Sequence, residues 1–207
     1  MVVRSGLVAE ARAAWIPPLA SGGWKKRAGD IYTRVLTGDM IGWLGLNTAV
    51  GRTDGLLEVN PVLGVRHQGV ERLVTELMEE EFRRYVPATL SVHLGYVMPD
   101  GRYRPWLFGA DQPVETVSRE MVAAVVAYGL PFMERLSSLE ALADAMDDGS
   151  LGVGELLAFR RPAARLLLGD SRGAEMALEE GRANLGTRRD QAAVRYRRFA
   201  KAFQAHL

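Results

Sequence analysis

The chain contains no cysteine, which excludes disulfides, thiolate catalysis and cysteine-built zinc sites. Histidine is scarce as well. His67, His93 and His206 are the only three, and no two of them share the i, i+4 spacing that would place both imidazoles on one helical face. No metal site and no cofactor is expected. No stretch approaches the roughly 18 consecutive apolar residues that a membrane-spanning helix needs. The opening MVVRSGLVAEARAAW carries Arg4, Glu10 and Arg12 where a signal peptide requires an unbroken apolar centre. A cytoplasmic protein without membrane association is the expectation.

What is present is enough for one sizeable core, or for one domain with an extension: 207 residues at 48% hydrophobic composition. The net charge of +1 is spread unevenly, because residues 151–207 hold eleven basic against six acidic side chains. Of the 26 basic residues 23 are arginine, many alternating with acids as on a solvated helix face. No aromatic residues interleave with this charge in a nucleic-acid-binding pattern, so nucleic acid is not an expected partner. A protein partner is, and homo-oligomerisation stays open.

Hydrophobic periods divide the chain. Leu7, Val8, Ala11 and Trp15 fall at helical spacing before Pro17-Pro18, where a first helix should kink or end. DIYTRVL (30–36) and MIGWLGLNTAV (40–50) read as strands joined at Thr37-Gly38-Asp39, and GRTDG (51–55) turns into a third, LLEVNPVLGVRH. Pro61 in that strand lacks a ladder donor and suggests an edge or a bulge. Val70, Leu73, Val74, Leu77, Met78 and Phe82 then form one helical stripe that ends before Pro87. ATLSVHLGYVM (88–98) alternates as a strand, and Pro99-Asp100-Gly101 turns it into RYRPWLF.

From residue 113 onward only helical periods remain. Val114 to Val126 make one stripe, and Ser137-x-x-Glu140 reads as a capping box opening the next helix. After DDGS (147–150) come helices near 153–168, 172–184 and 189–206. The fold class expected is α+β: about five mostly antiparallel strands with an inserted helix, followed by an all-helical C-terminal part. The division expected is a sheet domain over 1–110 with a helical extension, 111–207, packed on it.

Two motifs mimic active sites. Gly169-Asp170-Ser171-Arg172-Gly173 has the spacing of a nucleophile elbow, with Asp190 and His206 following, but the run before it is helical where an elbow needs a buried strand. A helix-ending glycine followed by a helix cap explains the same letters. GRANLGTR (181–188) has phosphate-loop glycines without the Lys-Ser/Thr that reaches phosphate and magnesium. No catalytic residue is assigned. The turn in LLLGDSRGAEMALEEG resembles a tetratricopeptide helix pair, though one pair is too short for a solenoid.

Two places remain as candidate binding sites. Arg66 and His67 stand where a strand feeds a helix, so free N–H groups and the helix dipole can hold an anion or carbonyl with Arg66 in support. The competing reading is that His67 caps the helix and Arg66 pairs with an acid such as Glu71. The second candidate is a polar sheet face: Thr89, Ser91 and His93 on one strand, Trp43 and Asn47 on another, with Arg104 and Trp106 nearby. If helices cover that face, Trp43 and His93 become core.

The stretch GGWKKRAGDIYTR (22–34), with a helix before it and a strand reaching GLN after it, resembles the opening of small α+β bacterial domains of unknown function, some of them immunity-like. The resemblance spans residues 5–108, and the glutamine-lysine-serine element of such domains is replaced here by GWLGLNTA. It implies a fold and adds no catalytic residues. The functional expectation is a non-enzymatic binding or interaction protein. The alternative is a small-ligand binder or enzyme centred on Arg66/His67 or on the face around His93.

Overall fold

The computed structural model describes residues 2–50, 56–109, 112–151 and 154–207. Helix α1 (Val2–Ser21) precedes strands β1 (Lys25–Lys26), β2 (Ile31–Thr37), β3 (Met40–Val50) and β4 (Leu57–His67). Helix α2 (Gln68–Leu77), β5 (Leu90–His93), the single turn α3 (Leu94–Val97) and β6 (Trp106–Phe108) follow. Helices α4 (Val114–Ala124), α5 (Leu130–Arg135), α6 (Leu139–Asp148), α7 (Gly154–Leu167), α8 (Ser171–Leu185) and α9 (Gln191–Phe203) complete the chain. The sheet is antiparallel, in the order β1-β2-β3-β4-β5 with β6 also on β4, so the α+β class with a helical C-terminal part holds. The turn expected over 51–55 lies outside the described residues.

The residues group into two compact units that are interleaved along the chain. The first holds Met1–Leu36, Gly42–Gly64 and Val92–Arg135; the second holds Thr37–Ile41, Val65–Ser91 and Leu136–Leu207.

In the first unit α1 does not stop at Pro17-Pro18 but runs to Ser21. Trp15 and Leu19 are fully buried, and the carbonyls that the last turn leaves open accept from Gly22 N (Pro18 O, 3.1 Å) and Trp24 N (Leu19 O, 3.0 Å). Burial of this face on α4 outweighs the N–H groups the prolines lack. Trp15 Nε1 donates to the Tyr32 hydroxyl at 2.9 Å, and the Arg12 guanidinium grips Asp30 through both carboxylate oxygens. Burial raises the Tyr32 pKa.

On β3, Leu44 and Leu46 face the core, and Gly42 lies under Met133 of α5, whose Sδ would be 3.1 Å from an added Cβ. On β4 the odd positions Leu57, Val59 and Leu63 do the same. Leu63 meets Gly129 so closely that a Cβ there would be 2.9 Å from its Cδ2. Gly129 closes a π-helical turn, Val125–Gly129, that joins α4 to α5 just before Pro131. That turn shifts the helical phase. Val125 is buried while Val126, expected on the same stripe, is 47% exposed.

Pro61 does not mark an edge strand, since β4 has neighbours on both sides. It falls between residues 57–59, which pair with β6, and Val65, whose carbonyl accepts from Thr89 N; the flanking strand is interrupted there. The long strand expected over 88–98 is also shorter: β5 ends at His93 and α3 begins. Positions four apart share a face in a strand and in a helix alike, so buried Leu90 and Leu94 fit either period. A Cβ on Gly95 would overlap the Arg102 carbonyl oxygen, so only glycine allows the chain to fold back there.

In the second unit α2 ends at Leu77, short of Phe82. Glu79 takes a left-handed φ of 53°, and Glu80 N reaches back to Thr75 O at 2.8 Å, a Schellman-type stop that the apolar stripe conceals. The cap of α6 is Ser138, whose Oγ accepts from Ala141 N at 3.1 Å, not Ser137. Asp170 caps α8 and Asp190 caps α9. Ser171 is simply the first, exposed residue of α8, as helix-cap chemistry predicts. Phe159 of α7 and Tyr196, Phe199 and Phe203 of α9 form one chain of aromatic contacts, with centroids 5.0 to 6.0 Å apart.

Candidate functional site

The strand–helix junction of the second unit is filled by its own chain. His67 has extended backbone and caps α2, its Nδ1 accepting from Val70 N at 3.1 Å. Its own N–H donates to Thr89 Oγ1 at 3.0 Å, and Gln68 N donates to Asp39 O at 3.0 Å. Burial lowers the His67 pKa against the opposing pull of Asp39 and Glu71. An Nδ1 that accepts a hydrogen bond requires the neutral ring with its proton on Nε2.

Arg66 is 1% exposed and points its guanidinium at the segment after α2. Nη1 donates to Pro87 O and Nη2 to Arg83 O, both at 2.5 Å, while Nε reaches Arg84 O at 3.1 Å. Glu71, the acid named from the sequence, lies 3.4 Å from Nη1 and also holds Arg160 of α7, whose Nε is 2.8 Å away. All three of these charged side chains are buried. Burial lowers the Arg66 pKa to about 10. Every guanidinium nitrogen of Arg66 therefore has an acceptor within the fold, and the cluster joins β4, α2, α7 and the 83–87 segment.

The sheet face of the first unit is different. Register settles which residues share it: Trp106 stands opposite Val59 and Phe108 opposite Leu57, so Trp106 belongs to the packed face and is 5% exposed. Leu107 stands opposite Glu58 and looks outward. Trp43 and Asn47 lie on the outward side of β3, with the Trp43 ring folded over Gly45, where a Cβ would come within 2.5 Å of the ring. Arg104 is exposed beside Trp106, its Cζ 5.6 Å from the ring centroid. Ser91 belongs to the second unit, and Thr89 is buried there.

His93 meets residues that the sequence did not single out. Its ring packs edge-on against Tyr103 at 5.5 Å and Tyr96 at 6.1 Å between centroids. The Tyr103 hydroxyl shares its one proton between two acceptors, Glu58 Oε1 at 2.8 Å and the adjacent Asn60 Oδ1; Asn60 Nδ2 closes the set by donating to Glu58 Oε1 at 3.0 Å. Glu58 and Asn60 are two apart on β4 and thus on one face. Tyr96 and Tyr103 remain 52% and 45% exposed. The signal for this cluster was the strand parity of Glu58 and Asn60. Strand alternation over 88–98 sets Tyr96 on the face opposite His93, but the helical turn at Leu94–Val97 brings the two rings together; Tyr103 has no pattern of its own on the excursion between β5 and β6.

Among the described residues no group of three or more His, Asp or Glu is arranged to hold a metal ion, and no helix is long and apolar enough to cross a membrane. Compared with family models, curated proteins and solved structures, the chain matches none.

Proposed function

We propose that this chain is a binding protein that holds a protein partner on the outward sheet face around His93, Tyr96 and Tyr103. The observation that carries this reading is the contrast between the two sides of the sheet. Trp106, Phe108, Leu57 and Val59 are packed away, yet Val35 of β2 is 72% exposed, Leu107 of β6 is 41% exposed, and Tyr96 and Tyr103 are half in solvent. Tyr103, held by the hydrogen-bonded Glu58–Asn60 pair, and Tyr96, packed on His93, present large solvated area at little entropic cost, which is the composition of interface centres. The ion-paired arginine and capping histidine at the other candidate site are bonded within the fold and favour no ligand. The resemblance of residues 5–108 to immunity-like bacterial domains accords with a protein partner.

The test is affinity capture with the full chain and with a Tyr96→Ala/Tyr103→Ala variant of unchanged circular dichroism. A partner bound by the parent and lost by the variant is expected, and sedimentation of the parent alone separates self-association from a foreign partner. Identical capture by both proteins would remove the sheet face from consideration.

A further inference from the structure

In the second unit α7, α8 and α9 enclose a cavity of about 320 Å³. Its wall is apolar and aromatic: Leu156 and Phe159 from α7, Leu185 from α8 and Tyr196 from α9. The floor is fixed, because the Tyr196 hydroxyl lies against Gly181, where a Cβ would overlap it, and donates to Leu178 O at 2.9 Å. Two cations, Arg188 and Arg195, also line it, and no aspartate or glutamate is among the described lining residues. The carboxylates these arginines hold, Asp190 and Glu80, stand outside the lining at about half exposure. Arg195 is also braced over the Phe159 ring, 5.6 Å from its centroid. Exposed ion pairs of this kind contribute little and exchange partners readily.

From this geometry we infer that the cavity binds a small amphipathic carboxylate, its hydrocarbon body against Phe159, Leu185 and Tyr196 and its head at Arg188 and Arg195. A volume in this range suits a small ligand, and an apolar body with one fixed polar end is how such sites orient what they bind. The two arginines supply charge-assisted donors. This site is separate from the sheet-face reading and stands or falls without it.

The test is an amide NMR titration of the full chain with octanoate, with 1-octanol and acetate as matched probes for the body alone and the head alone. Saturable shifts confined to residues 156–159, 181–185 and 192–196 are expected with octanoate. Octanol should bind about tenfold more weakly, the loss expected for charge-assisted hydrogen bonds, and acetate should leave these amides unmoved. Arg188→Gln/Arg195→Gln should bring octanoate down to the octanol affinity without changing octanol binding. Ala192→Trp, which fills the lining, should abolish both. The proposal is overturned by absence of saturable shifts below about 10 mM, an affinity already negligible for a built site. Equal affinity for octanoate and octanol would also overturn it, leaving a packing gap with no recognition of the head.

Discussion

Arg160 Nε lies 2.8 Å from Glu71 Oε1, on a carboxylate 89 residues earlier in the chain. Arg66 Nη1 approaches the same carboxylate, 3.4 Å from Oε2. Glu71 thus stands between two buried guanidinium groups, and removing it leaves both without this counter-charge. Glu71→Ala should cost about 3–5 kcal/mol, the range for breaking a buried ion pair by deleting one partner. Urea unfolding at neutral pH checks this. A loss below about 1 kcal/mol would mean that the arginines are adequately satisfied by backbone carbonyls.

That cluster also shows where sequence reasoning stops. The strands over 31–37 and 40–50 were legible because β-branched and aromatic residues alternate there without competition. Glu71 as partner of Arg66 was legible because only a few residues separate them. Arg160 was not, since nothing local in an arginine-rich helix distinguishes the one buried arginine from its solvated neighbours. Trp106, expected near the polar face, packs on the opposite one, because parity cannot be read in a three-residue strand whose start is unknown. The Tyr96–His93–Tyr103 cluster depends on the chain leaving β5 after His93 and folding back over Gly95, against the Arg102 carbonyl, a contact that no periodicity encodes.

Glu79 holds a left-handed φ of 53° at the end of α2 and is ion-paired to Arg198. Both side chains are more than half exposed, so the pair contributes little. Left-handed backbone costs a side-chain-bearing residue about 1 kcal/mol that glycine avoids. Glu79→Gly should therefore stabilise the protein by about 0.5–1 kcal/mol despite losing the ion pair. Thermal and urea unfolding give the sign, and a destabilised variant would mean that the link to α9 matters more than the backbone strain.

Gly181→Ala sets two effects against each other. An alanine in the interior of a helix ordinarily gains about 1 kcal/mol over glycine. Here the new methyl would overlap the Tyr196 hydroxyl and drive it from the Leu178 carbonyl, and forced repacking costs about 1–3 kcal/mol. A net loss is expected. Burial has raised the Tyr196 pKa to about 12, so its ultraviolet titration supplies a second readout. Displacement of the ring toward solvent should bring the phenol back toward its ordinary value.

His67 accepts the Val70 N–H through Nδ1, which only an unprotonated Nδ1 can do. Burial lowers the His67 pKa in the folded protein, the carboxylates of Asp39 and Glu71 opposing it without prevailing. The unfolded chain, with its ordinary value, binds the proton first as pH falls. The stabilisation from neutral His67 is therefore present above the unfolded pKa, near 6.5, and is lost as pH falls through that value toward the folded one. His67→Asn keeps a capping oxygen for Val70 N–H and cannot titrate. Measured by urea unfolding from about pH 7.5 down to about pH 5, the parent should lose more stability than the variant, the difference opening below about pH 6.5. Added phosphate should leave both curves in place if the junction is as fully bonded as its geometry indicates. Parallel curves would show that His67 stays neutral across this range or that its ring leaves the cap at little cost. A phosphate-dependent rise in the parent alone would restore the anion site at the start of α2.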